Sequence, residues 1–273
     1  MATDDQYIQV AGVLEVLDTG DRPIKAIGED DNAYLIKHNI LGHHLSNLIR
    51  EWICYQLYKR LGVSIPKSVL LNFEPSNFYD ELRPLTGRFY DHIVFGSEWM
   101  ESREPKDELY ESMTPKAESL LNPAELASIL VMDLWLKNND RVPNNLNLIV
   151  SQRKLYAIDH AATFDQEPFE RLADPVRKEY FVDPGEIGGL LVNTHYFKYY
   201  FAQYALEFEQ KGLTLCNKIE QIDATLVEQI LESVPSNWNL DLNERQAITE
   251  YLIYRQDKLK DRFLGHLNFS RQQ

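Results

Sequence analysis

Between residues 8 and 38 apolar and polar positions alternate in three short stretches, IQVAGVLEVLD, PIKAIGE and NAYLIKH, separated by Thr-Gly-Asp-Arg and Glu-Asp-Asp-Asn turn chemistry. This pattern predicts a small antiparallel sheet. The period then lengthens: Leu45, Leu48, Ile49, Trp52, Ile53, Leu57 and Leu61 fall at helical spacing, with Ser46 or Asn47 as the cap and Gly62 as the stop. SVLLNF (68–73) and HIVFGSEWM (92–100) predict two further strands. Residues 101–122 are polar, acidic and Pro-containing, which suits a connection between lobes. From Pro123 onward the texture is mostly helical, with helices predicted at about 123–138, 190–211, 215–234 and 242–264 and two short strands, LNLIV and KLYAID, between the first and second. The expected organisation is an N-terminal lobe over 1–100, a connection over 101–122 and a helical C-terminal lobe over 123–273.

At 273 residues the chain is long enough for one large domain or two lobes with a shared core. A net charge of -14 argues against an electrostatic grip on nucleic acid or on an anionic membrane, because both rely on exposed Lys and Arg. Cys54 and Cys216 are far apart and each sits in an apolar helical pattern, so neither a disulfide framework nor a thiolate metal site is expected. The N-terminus MATDDQYIQV lacks the regions of a signal peptide, and the longest apolar run, LASILVMDLWL, is interrupted by Asp133 and too short to span a bilayer. A cytoplasmic protein is expected.

The stretch WLKNNDRVPNNLNLIVSQRKLYAIDHAATF, residues 135–164, sets carboxylates and amides around the two predicted strands. Turns and caps need such groups, and so does a magnesium-nucleotide site. Phosphoryl transfer from ATP asks for a cation on the phosphates, carboxylate and amide ligands for magnesium, and a carboxylate near the attacking hydroxyl. The chain offers each in order. Lys37 closes the third strand, and Glu51 lies on the following helix, where a carboxylate orients an ammonium. Asp140 sits in a loop after a helix and Asn145 follows five residues later, a spacing that points a base at the substrate and an amide oxygen at the metal. Asp159 ends the second strand, where its hard oxygen suits magnesium opposite Asn145.

The order Lys37, Glu51, Asn139-Asp140-Arg141-x-x-x-Asn145, Ile158-Asp159-His160 resembles the HipA-like kinases, in particular their compact domains, and more distantly the type II phosphatidylinositol kinases. YLIKHN, REWICYQLYKRLGVSIP and VFGSEWM are similar to that family's lysine strand, its following helix and the strand leading to its hinge. The resemblance implies an α+β, two-lobed protein-kinase-like fold with ATP and magnesium in the cleft between a small antiparallel-sheet lobe and a mainly helical lobe. It implies Lys37 on the nucleotide phosphates, Glu51 as its partner, Asp140 as catalytic base, Asn145 and Asp159 as magnesium ligands, and adenine against Glu98, Trp99 and Met100. By the same resemblance the acceptor is a Ser or Thr of a protein.

Two departures stand out. The turn DTGDRP carries a single glycine, Gly20, so its backbone approaches the phosphates less closely than a glycine-rich cradle does. Asp159-His160-Ala161 replaces the Asp-Phe-Gly of ordinary protein kinases. A nucleotide-binding or partner-binding module without catalysis, or a kinase of lipids or small molecules, are the other readings. Arg141 has either Asp133 or a phosphate as partner, and the structural role is favoured. Asn139, Asn144 and Asn147 suit turns and caps, while His38, His43 and His44 lack the partners of a metal site. The aromatic run THYFKYYFAQYALEFEQ, with Phe197, Phe201, Tyr204, Leu206 and Phe208 roughly at helical intervals, predicts a packed helix rather than a base-stacking surface. Residues 165–186 stand either as a substrate or activation segment or as a solvated loop.

Overall fold

A computed structural model of the protein describes residues 7–19, 22–38, 45–82, 85, 92–102, 120–143, 145–181, 183 and 190–272. Gly20, His43, His44, Asn144 and most of the expected connection over 101–122 lie outside the described residues. The chain divides into two compact units: one formed by residues 1–55, 66–101 and 234–240, the other by 56–65, 102–233 and 241–273.

In the first unit the period-two stretches become β1 (Ile8–Val16), β2 (Ile24–Gly28) and β3 (Ala33–Lys37), followed in space by β5 (Ile93–Glu98) and β4 (Ser68–Asn72). The neighbours β1-β2-β3-β5-β4 pair antiparallel, and β1 then pairs parallel with β4 through Ile8↔Leu71 and Gln9↔Asn72, so the sheet closes as a barrel. Closure removes the exposed edges an open five-stranded sheet would carry. Ile24, Ala26, Tyr34, Ile36, Leu71, Phe73 and Val94 fill its core. The β2–β3 turn is fixed by Asp30, whose carboxylate accepts hydrogen bonds from Asn32 N–H at 3.3 Å and Tyr34 O–H at 2.6 Å. Residues 234–240 belong to this unit because the Trp238 indole N–H donates to the Ile93 carbonyl at 3.0 Å.

Helix α1 (Leu45–Leu61) carries the predicted apolar face inward, with Leu48, Ile49, Ile53 and Leu57 all buried, and stops at Gly62, whose φ of 73° only glycine adopts without penalty. Ser46 and Asn47 lie within its first turn rather than at a cap, and Asn47 Oδ1 accepts from Arg50 instead.

The second unit is built on α2 (Glu125–Leu136), every residue of which is buried. A helix buried on all sides needs cover on all sides, and α4 (His195–Ile219) and α6 (Leu242–Ser270) supply much of it; the Trp135 indole N–H donates to the Leu252 carbonyl at 2.9 Å. The hairpin of β6 (Leu148–Ser151) and β7 (Lys154–Ala157) follows α2, turning through Gln152 and Arg153, both left-handed as a two-residue hairpin turn requires. Further on come α3 (Pro175–Glu179) and α5 (Ala224–Glu232).

The predicted helices over 190–211 and 215–234 are divided otherwise. One helix, α4, runs from His195 to Ile219 with a kink at Tyr204 (φ -127°), and a separate α5 begins at Ala224 with Asp223 as its cap. Phe197, Phe201 and Phe208 share one face of the helix and are buried, while Leu206, expected among them, lies nine residues and so half a turn away from Phe197 and is 74% exposed. Among the described residues no helix is long and apolar enough to cross a membrane.

Candidate functional site

Helix α2 delivers the chain into the Asp140 loop through Lys137, a left-handed residue whose backbone N–H closes on the Asp133 carbonyl. The helix ends there because a left-handed residue cannot continue the i to i-4 ladder. Asp133, one turn back and fully buried, receives Arg141 Nε at 2.8 Å. Of the two partners weighed for Arg141, the structure therefore has the carboxylate. The rest of the guanidinium gathers backbone: Nη1 donates to the carbonyls of Leu146 at 3.2 Å, Asn147 at 2.5 Å and Ile158 at 3.4 Å. One buried cation thus ties α2, the Asp140 loop and the open ends of both hairpin strands together.

Burial pushes the Asp133 carboxyl up to about 6, with Arg141 and an Asn138 hydrogen bond pulling it down; burial also pulls the Arg141 guanidinium down, and Asp133 more than offsets this and holds it above its ordinary value. Removing either partner would leave a buried charge uncompensated, the costly half of the asymmetry for buried pairs.

Within this frame Asp140 is half-buried and its carboxylate Oδ2 accepts from Asn147 Nδ2 at 2.9 Å; the same amide reaches the Asp140 carbonyl at 3.1 Å. Asn147 adopts φ 49°, a conformation Asn tolerates better than most residues. The three asparagines of NNLN look alike in sequence; of the two that are described, Asn147 alone is left-handed and grips Asp140. Asn145 is exposed and placed by reciprocal 2.9 Å backbone hydrogen bonds with Val142. Asp159 follows Ile158, whose N–H donates to the Asn147 carbonyl at 3.0 Å, and adopts φ 57°. Asp140, Asn145 and Asp159 are accordingly all carried by backbone at the open end of one hairpin. Among the described residues no three His, Cys, Asp or Glu side chains form a metal cage. An amide oxygen and a carboxylate oxygen fit magnesium, which takes one or two protein ligands together with substrate phosphates.

His160 is buried edge-on against the Tyr58 ring, with centroids 4.7 Å apart. Thr163 caps its carbonyl at 2.8 Å.

In the first unit Lys37 Nζ meets Glu51 Oε1 at 2.5 Å, with the two side chains 19% and 3% exposed. β3 ends where α1 begins its second turn, so strand and helix bring the two together. Glu98 ends β5 and Trp99 follows it: their backbone N–H groups donate to the carbonyls of Lys67 and Ala33 at 2.7 and 2.8 Å. Lys25 Nζ sits 3.9 Å over the Trp99 ring, and Met100 is partly exposed beyond them. His38, the histidine of its cluster that is described, is buried with Nε2 3.0 Å from the Arg22 carbonyl.

The crystal structure of a Helicobacter pylori proinflammatory kinase, CtkA, is similar in fold, with a TM-score of 0.55 at 12% identity over 97% of this chain and 99% of that one. That of the Golgi casein kinase aligns with a TM-score of 0.45 at 14% identity, over 96% of this chain and 74% of that one. No protein of curated function matches at a significant level. The fold is α+β and protein-kinase-like, strand-rich in its N-terminal part and helical in its C-terminal part. The model of the HipA-like kinase family matches residues 11–174, more than half of the chain and every residue described above from Lys25 to Thr163, and the chain belongs to that family of kinase-type phosphotransferases.

Proposed function

We propose that this HipA-like kinase transfers the γ-phosphate of ATP, with magnesium, to a Ser or Thr hydroxyl of a protein. The observation that carries the reading is the fixed carboxylate of Asp140, held by Asn147 on a loop that the buried Arg141–Asp133 pair keeps in place. Catalysis of phosphoryl transfer is mostly positioning and electrostatics, so a carboxylate on a rigid loop is the part hardest to obtain by accident.

Asn147 takes Oδ2, and Oδ1 is the oxygen we assign to the acceptor hydroxyl. As the acceptor oxygen bonds to the γ-phosphorus and the bond to the β,γ-bridging oxygen breaks, the hydroxyl proton passes to Asp140 and ADP leaves. Lys37, oriented by Glu51, is assigned to the phosphates. Asn145 and Asp159 are assigned to magnesium, and the bound ion would supply neutralisation of the negative charge on the phosphates. Glu98 and Trp99 spend their backbone N–H groups within the barrel, so adenine recognition at this segment falls to Met100 N–H and to carbonyl oxygens. Gly20 retains its proposed place by the phosphates.

Calorimetric titration with a non-hydrolysable ATP analogue, with and without magnesium, tests the nucleotide half of the reading. Binding should require magnesium in the wild type and weaken at least about tenfold in Asp159→Ala. Asp140→Ala should bind the analogue normally and lose phosphoryl transfer. Undiminished transfer by Asp140→Ala would remove it as the base, and magnesium-independent binding unaffected by Asp159→Ala would remove the metal assignment.

A further inference from the structure

The segment that follows Asp159 is fastened to the elements flanking Asp140 by two charged groups that the mechanism does not use. The first is Asp165. Its Oδ2 accepts from Lys137 Nζ at 2.6 Å and its Oδ1 from Asn139 Nδ2 at 2.9 Å, while its backbone N–H donates to the Lys137 carbonyl at 3.2 Å. Lys137 is itself only 5% exposed and also lies 4.5 Å over the Tyr180 ring. Lys137 and Asn139 are the residues three and one before Asp140, so a single carboxylate spans the start of the catalytic loop.

The second is Arg255 of α6, buried to 1% exposure. Its Nε and Nη2 donate to the carbonyls of Trp135 and Leu134 at 2.8 and 2.5 Å, at the end of α2, and its Nη1 donates to the Tyr180 carbonyl at 2.6 Å. Its plane stacks on Phe181 at 3.7 Å. Asp165 and Arg255 therefore grip the two ends of residues 165–181 and tie both to the last turn of α2 and the loop it feeds.

The backbone at Asp165 shows that the grip matters. Phe164, Asp165 and Gln166 are consecutive left-handed residues, each at φ 56°, and none is glycine. Such a run persists only where its surroundings over-determine it. Phe164 is buried against Phe169 and Tyr251, and Asp165 is held by Lys137 and Asn139. Burial anchors one residue of the run and charge anchors the next.

From this geometry we propose that Asp165 is a built-in anionic latch that holds the segment after Asp159 on the Asp140 loop, so that phosphoryl transfer requires no phosphorylation of that segment. In switchable kinase segments an added phosphate supplies the anion that a basic side chain captures. Here a carboxylate already occupies the basic side chain. Asp165 touches neither substrate nor the reacting atoms, and its role is positioning. The latch rests on the reading of Asp140 as the base.

The test uses the full chain as wild type, Asp165→Asn, Lys137→Met and the double variant. Three quantities are measured: transfer from ATP to myelin basic protein, affinity for the non-hydrolysable analogue, and tryptic cleavage at Arg171, Arg177 and Lys178. Each single variant should lower the transfer rate at least about tenfold, since displacement of a positioned group by about an ångström costs that much or more. The double variant should be no slower than the slower single, because the two side chains act as one unit. Analogue affinity should stay within about twofold while cleavage accelerates, a combination that general destabilisation would not give. Asp165→Glu should recover part of the rate, and phosphatase treatment should leave wild-type transfer unchanged. Wild-type transfer by Asp165→Asn, additive losses in the double variant, or loss of wild-type activity on phosphatase treatment would each overturn the latch. Should Asp165→Asn fail to fold, Asn139→Ala removes one bond of the grip and must reproduce the smaller loss and the faster cleavage. If Asp140→Ala transfers normally the base assignment falls, while the cleavage pattern still decides whether Asp165 holds the segment.

Discussion

At the scale of single residues the Asp140 loop depends on one amide and one buried ion pair. Asn147 holds Asp140 through a carboxylate hydrogen bond of 2.9 Å in a left-handed conformation, so Asn147→Ala would mix loss of the bond with backbone strain. Asn147→Gly separates the two, because glycine accepts φ 49° and removes only the amide. Transfer by Asn147→Gly should fall about tenfold to a hundredfold at unchanged analogue affinity; an unchanged rate would show that Asp140 needs no such hold. The ion pair carries a pH dependence. Asp133 titrates near 6 in the folded protein against 3.8 ordinarily. Between those values the folded state binds the proton more tightly than the unfolded chain. This group's contribution to stability is therefore greatest below 3.8, declines as pH rises to about 6, and is constant above it. Protonation nevertheless takes the counter-ion from Arg141 and loosens its grip on Leu146, Asn147 and Ile158. Transfer should decline as pH falls through about 6 while Asp133 itself adds no loss of melting temperature over that range. Asp133→Asn should show at about pH 7.5 the slow transfer of the acidified wild type. A wild-type rate and analogue affinity both flat down to about pH 5 would refute the coupling.

At the scale of elements, α4 and α6 meet where Gly212 leaves no room: a Cβ there would lie 2.0 Å from Phe263 Cζ and 2.4 Å from its Cε1, and Phe263 is fully buried. Exchanging glycine for alanine inside a helix ordinarily gains about 1 kcal/mol, whereas forcing a methyl into a packed contact costs about 1–3 kcal/mol. At this overlap the second term wins, so Gly212→Ala should lower the melting temperature by several degrees, about 2–4 °C per kcal/mol in a domain of this size. Phe263→Leu should cost less in the Gly212→Ala background than alone; strictly additive effects would mean that the ring does not make the contact. The same element shows where sequence reasoning stops. β1 to β5, α1 and the β6–β7 hairpin are legible because alternation, helical period and turn residues are local signals. The kink at Tyr204 is not, because no Pro or Gly in FAQYALEF marks it, whereas the outward place of Leu206, half a turn from Phe197, follows from the helical period when it is counted strictly. The parallel β1–β4 pairing joins Ile8 to Leu71, too far apart in sequence for turn chemistry to announce. At the candidate site, the approach of Lys37 to Glu51 is legible because β3 and α1 are consecutive, and the order of Asp140, Asn145 and Asp159 because one hairpin carries them. Asn147 and Asp165 are missed, since both act from left-handed turns that nothing in NNLN or FDQE specifies.

At the scale of the whole molecule the field is that of 42 acidic against 28 basic residues, a net charge of -14. Charge of one sign summed over a surface steers the approach of macromolecules and acts mainly on association rate. If the acceptor is a protein, as proposed, it must come up to an acidic chain whose described basic groups near Asp140, Lys137 and Arg141, are already engaged by Asp165 and Asp133. Basic acceptors are therefore expected to associate faster than acidic ones, which is consistent with the argument against nucleic acid as a partner. At an ionic strength of about 0.02 M the Debye length is on the order of 20 Å, and at about 0.5 M it is only a few ångströms, so the preference should shrink as salt rises. The check is kcat/KM for myelin basic protein and for dephosphorylated casein across that range. The basic acceptor should lead at low salt, most of the advantage should be lost by the highest, and kcat should change little, because steering affects encounter rather than transfer. An acidic acceptor that leads at low salt would mean that a local basic patch, not the net field, receives the substrate, and would direct attention to the exposed Arg171 and the partly exposed Arg177 of the segment that Asp165 holds.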